Sequence, residues 1–174
     1  MINQKTLSSW CTNISNGCQN MTQLIEQKYA SKSTDYLIWS LGSHQLWTSS
    51  ECYQFFHEEI IPNLVNLNPL TSFIMTTITA KDTSQLPPKF SPIQPYTTNE
   101  RVNSINQVMM NEIFKLQNQI PSMKNQFHIL DFFGATVGIV EENGDAQHFY
   151  GPNYDRKVYN FLIKMIIAKI LELS

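Results

Sequence analysis

The stretch Tyr36-Leu37-Ile38-Trp39-Ser40-Leu41-Gly42-Ser43-His44 indicates the fold class of this 174-residue chain. Residues 36–41 form a short, continuous apolar and aromatic run, which is typical of a strand that is buried on both faces of a sheet. Gly42 ends the run. We therefore predict a buried strand here, followed directly by a turn at which the chain leaves the sheet.

Helical and strand-like segments alternate around this run. Two further strands, rich in apolar and β-branched residues, are predicted at residues 71–79 and from Phe127 to Asp131. Apolar residues at steps of three and four predict helices at Cys18–Ala30 and Glu51–Val65. Further helices are predicted from Glu100 to about Gln119 and from about Asn153 to Leu173. Alternation of this kind predicts an α/β fold, with a parallel sheet covered by helices on both faces.

The length fits one globular unit. Within it, residues 1–35 are predicted to be an N-terminal segment with one helix, and residues 36–174 the α/β domain. Residues 81–98 contain four prolines, at positions 87, 88, 92 and 95, and predict a long irregular loop. Helix caps are predicted at Ser49 or Ser50 and at Thr98 or Asn99.

Charge and hydropathy argue against two classes of partner. The net charge is −2, which supplies no electrostatic attraction for a phosphate backbone, so no nucleic-acid partner is predicted. The longest apolar stretch, residues 161–173, is interrupted by Lys164 and Lys169 and falls short of the roughly 20 apolar residues that span a bilayer. We expect a core helix here and no membrane span.

The sequence contains signals for two different cellular compartments. Residues 1–10 lack the basic start and apolar run of a secretory signal, which predicts a cytoplasmic protein. Two Asn-x-Ser/Thr sequons, at Asn13 and Asn20, lie beside Cys11 and Cys18, a combination that suits a secretory lumen if the N-terminus is incomplete.

Two short segments carry the candidate chemistry. Asp145 and His148 precede the last helix, and a carboxylate that orients an imidazole can make it a general base. Gly42, Ser43 and His44 follow the first strand, where a glycine allows backbone N–H groups to bind a developing oxyanion. Ligands of open parallel sheets bind beyond the carboxyl ends of the strands. Taken alone, each segment also fits an ordinary turn.

No metal and no cofactor are predicted. His57 is expected to be solvated on a helix, and His128 to be a packed or edge residue of a strand. The chain's four histidines and three cysteines form no cluster at ligand spacing. The sequence also contains no Gly-x-Gly-x-x-Gly, no P-loop and no Gly-x-Ser-x-Gly motif, which argues against nucleotide binding and the common lipase design.

Four segments together resemble the SGNH (GDSL-like) hydrolase superfamily, nearest to the PC-esterase and neurexophilin/PC-esterase type. They are Ser40-Leu41-Gly42-Ser43-His44, Asn99-Glu100-Arg101-Val102-Asn103, Ile129-Leu130-Asp131, and Asp145-x-x-His148 before a terminal helix. The resemblance covers about residues 36–173 and implies a three-layer, flavodoxin-like sheet. It also implies hydrolysis or transfer of O-acyl esters, commonly on carbohydrates, without a metal or organic cofactor.

The resemblance also implies roles for individual residues. His148 would be the base, Asp145 its orienting acid, and Gly42 a contributor to the oxyanion hole. His44 stands where many members have asparagine, and an imidazole N–H can donate a hydrogen bond in its place.

The front of the chain departs from the family pattern. Members place a Gly-Asp-Ser nucleophile after an initial strand, and neither that motif nor an apolar strand precedes Cys11. Ser8 and Ser9 are hydroxyls near this end, but their flanking residues do not form a buried strand. The expected fold is therefore a version that lacks the first strand.

Three functional hypotheses remain open. The first is an SGNH-type ester hydrolase or acyltransferase-like domain whose partner is a small-molecule or glycan ester. The second is a catalytically inactive binding module of the same fold, or an N-terminally incomplete esterase without its serine. The third is a flavodoxin-like domain unrelated to esterases, in which Asp145 and His148 do not meet.

Overall fold

A computed structural model of the chain describes residues 36–40, 48–85, 88, 98–142 and 157–173. The predicted helix Cys18–Ala30 and the N-terminal segment 1–35 lie outside these ranges. The described residues form a mixed α/β structure that is mostly helical and contains a small, open, three-stranded parallel sheet. The predictions of an α/β fold and of a parallel sheet are confirmed.

The elements alternate as expected. The strands are β1 (Tyr36–Ser40), β2 (Ser72–Thr76) and β3 (Phe127–Leu130). The α-helices are α1 (Ser49–Phe55), α2 (Ile61–Leu64), α3 (Asn99–Gln119), α4 (Phe132–Thr136) and α5 (Lys157–Leu173). A π-helical turn, Phe56–Ile60, joins α1 to α2, and 3₁₀ turns occur at Thr83–Gln85, Pro121–Asn125 and Val137–Glu142.

The sheet has the strand order β1-β2-β3. Ser40 pairs with Thr76, and Thr76 pairs with Leu130, so the three strands end in one row. β2 ends at Thr76 rather than at the predicted residue 79. The Thr77 N–H still donates to the Leu130 carbonyl of β3. Beyond Thr77, the backbone N–H groups donate to side chains and not to a neighbouring strand.

One face of the sheet packs against α1 and α3. The alternation of β1 directs Leu37 and Trp39 into this core. The Phe73 ring of β2 contacts Trp39 at 6.1 Å and Phe127 at 5.7 Å between ring centroids, so aromatic side chains of all three strands meet there. α3 contributes buried residues at helical spacing, namely Val102, Ile105, Asn106, Met109, Glu112, Ile113 and Leu116.

The helix starts follow from local capping. Thr98 caps α3 by accepting a hydrogen bond from the Arg101 N–H, as one of the two predicted caps. The prediction for α1 was wrong: its cap is Thr48, not Ser49 or Ser50. The physical reason is a capping box, in which the Thr48 hydroxyl binds the Glu51 N–H and the Glu51 carboxylate binds the Thr48 N–H.

The π-helical turn before α2 has a local cause. Pro62 lacks an N–H and its ring crowds the preceding turn, so an ordinary α-helical hydrogen-bond pattern is interrupted at this point. The Ile61 N–H donates to the Phe56 carbonyl, five residues back. The wider turn contains His57.

The C-terminal helix α5 contacts the first strand through a side chain. The Tyr36 hydroxyl donates to the Ile170 carbonyl at 3.3 Å, and Val158 and Leu162 are the buried residues of α5. In the described ranges, no helix has the length and apolarity needed to cross a membrane.

Candidate functional site

The five residues assigned chemical roles from the sequence lie outside the described ranges. They are Gly42, Ser43, His44, Asp145 and His148. Their assignment stays a prediction. The described structure does contain the strand and helix ends that adjoin these segments in the chain.

The carboxyl edge of the sheet, formed by the residues that follow Thr76 and Leu130, is held by a small polar network. The Thr77 hydroxyl donates to the Asp131 carboxylate at 3.1 Å and accepts from the Phe133 N–H at 2.9 Å. Asp131 also accepts from the Gly134 N–H at 2.9 Å and so caps α4. A Cβ at position 134 would overlap the Asp131 carboxylate, which is why glycine fits there.

Side chains also hold the segment that leaves β2. Asn106 of α3 accepts from the Ile78 N–H at 2.8 Å and donates to the Ile78 carbonyl at 3.0 Å. Thr136 accepts from the Ala80 N–H at 2.9 Å. Because buried backbone groups need partners, these bonds replace the strand that is missing beyond Thr77. They hold the segment after β2 in place at the carboxyl edge of the sheet.

Lys81 ends this segment and is only 3% exposed. A buried ammonium group is unusual, because burial of a charge is costly unless other groups compensate it. The Lys81 N–H donates to the Asn99 side-chain oxygen at 2.7 Å, which joins the segment to the first turn of α3. Lys81 begins the predicted loop 81–98, and no local pattern in the sequence signals its burial.

A second polar cluster lies between the π-helical turn and α3. His57 Nδ1 is 3.1 Å from a Glu112 carboxylate oxygen, and Lys115 Nζ donates to the other at 2.6 Å. The imidazole stacks on the Tyr53 ring at a centroid distance of 5.3 Å. Glu112 is 5% exposed, whereas His57 and Lys115 are more than half exposed. His57 is thus solvated as predicted, but it also binds a buried carboxylate.

The charge state of this cluster follows from its hydrogen bonds. Burial alone would raise the pKa of the Glu112 carboxyl, but the bonds from Lys115 and His57 outweigh it and hold the pKa below 4.5. The bond to Glu112 raises the pKa of Lys115.

A groove of about 260 Å³ borders the cluster and is also lined by Ile61, Leu116 and Gln119. None of the described residues that line it is a serine, threonine or cysteine. Among the described residues, the cluster therefore offers no Ser, Thr or Cys nucleophile for its carboxylate–imidazole pair to activate.

Comparison with known families, characterised proteins and solved structures gives no match for this chain.

Metal and thiol chemistry find no support among the residues that the structure describes. They include no group of three or more His, Cys, Asp or Glu side chains that could hold a metal ion. Cys52 is a buried free thiol, and burial raises its pKa to about 12. A thiol of this kind is not ionised near neutral pH and is a poor nucleophile.

Glu112→Gln tests the ion-pair cluster. Because the folded-state pKa of Glu112 is lowered, its carboxylate stabilises the fold above pH 4.5, and this contribution is lost as the pH falls through the folded pKa. We expect the variant to lose about 1–2 kcal/mol of unfolding free energy at pH 7. Urea denaturation between pH 3 and pH 7 measures it, and a deficit that persists undiminished at pH 3 would contradict the assignment.

Proposed function

We propose that this chain is an SGNH-type ester hydrolase or acyltransferase-like domain that acts on O-acyl esters, with carbohydrate esters as the preferred class. His148 acts as the general base and Asp145 orients it. Gly42, with Ser43 and His44, binds the oxyanion. The proposed domain is a three-layer, flavodoxin-like structure that lacks the first strand of the family, with β1 at the edge of the described sheet.

The observation that carries the proposal is the common row in which the strands end. Ser40, Thr76 and Leu130 are aligned across the sheet, so the segments after all three strands start from one edge. Gly42 follows Ser40 by two residues in the sequence. Active sites of open parallel sheets are found at this edge, because loops from several strands converge there.

The approach of the chain to Asp145 supports the same placement. Residues 131–136 are bound to the carboxyl edge through Asp131, Phe133 and Thr136. The 3₁₀ turn Val137–Glu142 continues from them and ends three residues before Asp145 in the sequence. The segment with Gly42 therefore continues from the carboxyl edge itself, and the segment with Asp145 follows a turn that begins directly after residues bound to that edge.

Replacing His148 by alanine tests the proposal. Loss of a general base is expected to lower the hydrolysis rate of p-nitrophenyl acetate by about 100-fold or more. The matched control is His128→Ala, since His128 lies on β3 and binds the Asn125 carbonyl. Equal rates for the wild type and His148→Ala would contradict the assignment, and a similar loss in His128→Ala would show that the rate depends on stability.

The catalytically inactive binding module is the second candidate, and the absence of a Gly-Asp-Ser motif favours it. A fluorophosphonate probe separates the two candidates, because it labels an activated serine covalently. Stoichiometric labelling of one serine supports the hydrolase. Absence of labelling, together with saturable binding of an acylated glycan, supports the binding module.

A further inference from the structure

Asp131 has one carboxylate oxygen that the polar network of the carboxyl edge does not use. Its Oδ1 atom accepts two hydrogen bonds, from the Thr77 hydroxyl at 3.1 Å and from the Gly134 N–H at 2.9 Å. Among the described residues, no side chain or backbone group donates to Oδ2. Asp131 is an exposed residue directly after β3. The Oδ2 atom is therefore open to a ligand.

The glycine at position 134 leaves this oxygen uncovered. A Cβ at position 134 would overlap Oδ2 of Asp131, whereas Oδ1 would lie 3.5 Å from it. The backbone of Gly134 is not in the left-handed region that favours glycine, so its conformation alone does not require a glycine. The missing side chain thus serves to leave space around the Asp131 carboxylate.

The carboxylate is also held in a fixed orientation. Thr77 is 1% exposed, and its hydroxyl oxygen accepts from the Phe133 N–H at 2.9 Å, so its hydrogen is directed at Asp131. Together with the Gly134 N–H, this bond restricts the rotation of the Asp131 side chain. An acceptor that is already fixed binds a donor at a smaller cost in side-chain entropy.

The position of Asp131 on the sheet indicates what its carboxylate can contact. Leu130 is aligned with Ser40 across the sheet, and neighbouring strands lie about 4.8 Å apart, so β3 ends roughly 10 Å from the end of β1. A reacting ester at the end of β1 would be too far away to contact Asp131. A neighbouring part of the same substrate is within reach, and in a carbohydrate ester that part carries hydroxyl groups, which donate to carboxylates.

We propose that Asp131 is a substrate-binding residue whose Oδ2 atom accepts a hydrogen bond from a sugar hydroxyl of a carbohydrate ester. The inference rests on the substrate class of the proposed function. It applies equally to the hydrolase and to the binding module, because binding of a sugar needs no nucleophile. Asp131 has no part in cleavage of the ester bond.

Asp131→Asn separates sugar binding from helix capping. Asparagine keeps a carbonyl oxygen for the bonds from Thr77 and Gly134, but it replaces Oδ2 by an NH₂ group and removes the charge. Titration calorimetry with mono-O-acetylcellobiose measures the dissociation constant of the full chain, in a His148→Ala background that prevents cleavage. We expect the constant to rise about tenfold or more, as for loss of a charge-assisted hydrogen bond, at an unchanged Tm.

Glu58→Gln is the matched control, because Glu58 is an exposed carboxylate of the π-helical turn that accepts from Gln54. It removes the same charge away from the carboxyl edge and should leave the sugar affinity unchanged. The inference would be overturned by an affinity that Asp131→Asn leaves unchanged, by an equal loss in the two variants, or by a chain that does not bind the acetylated sugar.

Kinetic measurements distinguish this inference from the proposed hydrolysis. With His148 present, Asp131→Asn should raise KM for the sugar ester about tenfold at unchanged kcat, and leave the rate with p-nitrophenyl acetate, which has no sugar hydroxyl, unchanged. Absence of hydrolysis in the wild type, with a sugar affinity that still depends on Asp131, would reject the hydrolase and support the sugar site. An increase in KM for acetylthiocholine but not for the sugar ester would overturn the inference in favour of a cationic ligand.

Discussion

Phe73→Ala is expected to cost about 4 kcal/mol of unfolding free energy, a large part of the roughly 5–15 kcal/mol that stabilises a typical domain. Phe73 is 1% exposed and lies on the central strand, where it contacts Trp39 of β1 and Phe127 of β3. Truncation removes apolar contacts on both sides and leaves a cavity that the paired strands cannot close without shifting. The loss therefore affects the whole sheet.

Urea denaturation followed by tryptophan fluorescence measures this change, since Trp39 lies 6.1 Å from the Phe73 ring. Phe73→Leu is the control, because a large apolar residue retains most of the volume and should cost less than about 1.5 kcal/mol. Similar losses in the two variants would show that the central core is not packed around Phe73 as described.

Asn106→Leu is expected to cost about 3 kcal/mol and to distort the carboxyl edge. Asn106 is 1% exposed and satisfies both the N–H and the carbonyl of Ile78. Leucine has a similar size but neither donor nor acceptor, so two buried backbone groups lose their partners, at about 1–3 kcal/mol each before relaxation. Because this segment leaves the carboxyl edge of the sheet, where the proposed site lies, the proposed ester hydrolysis should fall with it.

Asn103→Leu is the matched control, since Asn103 lies exposed on the same helix and the change should remain within about 0.5 kcal/mol. Thermal unfolding and the p-nitrophenyl acetate rate are measured on both variants. If Asn106→Leu were as stable as Asn103→Leu, the side chain would not be the partner of the Ile78 backbone.

The two polar clusters illustrate why a candidate site is harder to predict than a fold. The local sequence of His57 predicts only a helix, and the partner of His57, Glu112, is 55 residues away on α3. Asp131 was predicted as the end of a strand, which is nearly correct, but its bond to Thr77 joins the segments after two strands. Neither pair has a local periodicity or motif from which it could be inferred.

What the sequence by itself determined was the order of the three described strands and of the main helices between and after them. The continuous apolar run at 36–41, the run from Phe127 and the capped helix predicted at residues 100–119 are local signals, so the strands β1 and β3 and the helix α3 were predicted close to their observed bounds. Local chemistry also predicted Thr98 as one of two caps.

Only the tertiary structure decided the end of β2, the burial of Lys81 and the exposure of apolar side chains such as Ile167 on α5. Each of these depends on which residue from a distant part of the chain becomes a neighbour. Hydrogen bonds such as that between Asn106 and Ile78 form only when the chain has folded. The helix face that packs against the sheet is likewise decided only then. A local pattern of residues contains no information about contacts between distant parts of the chain.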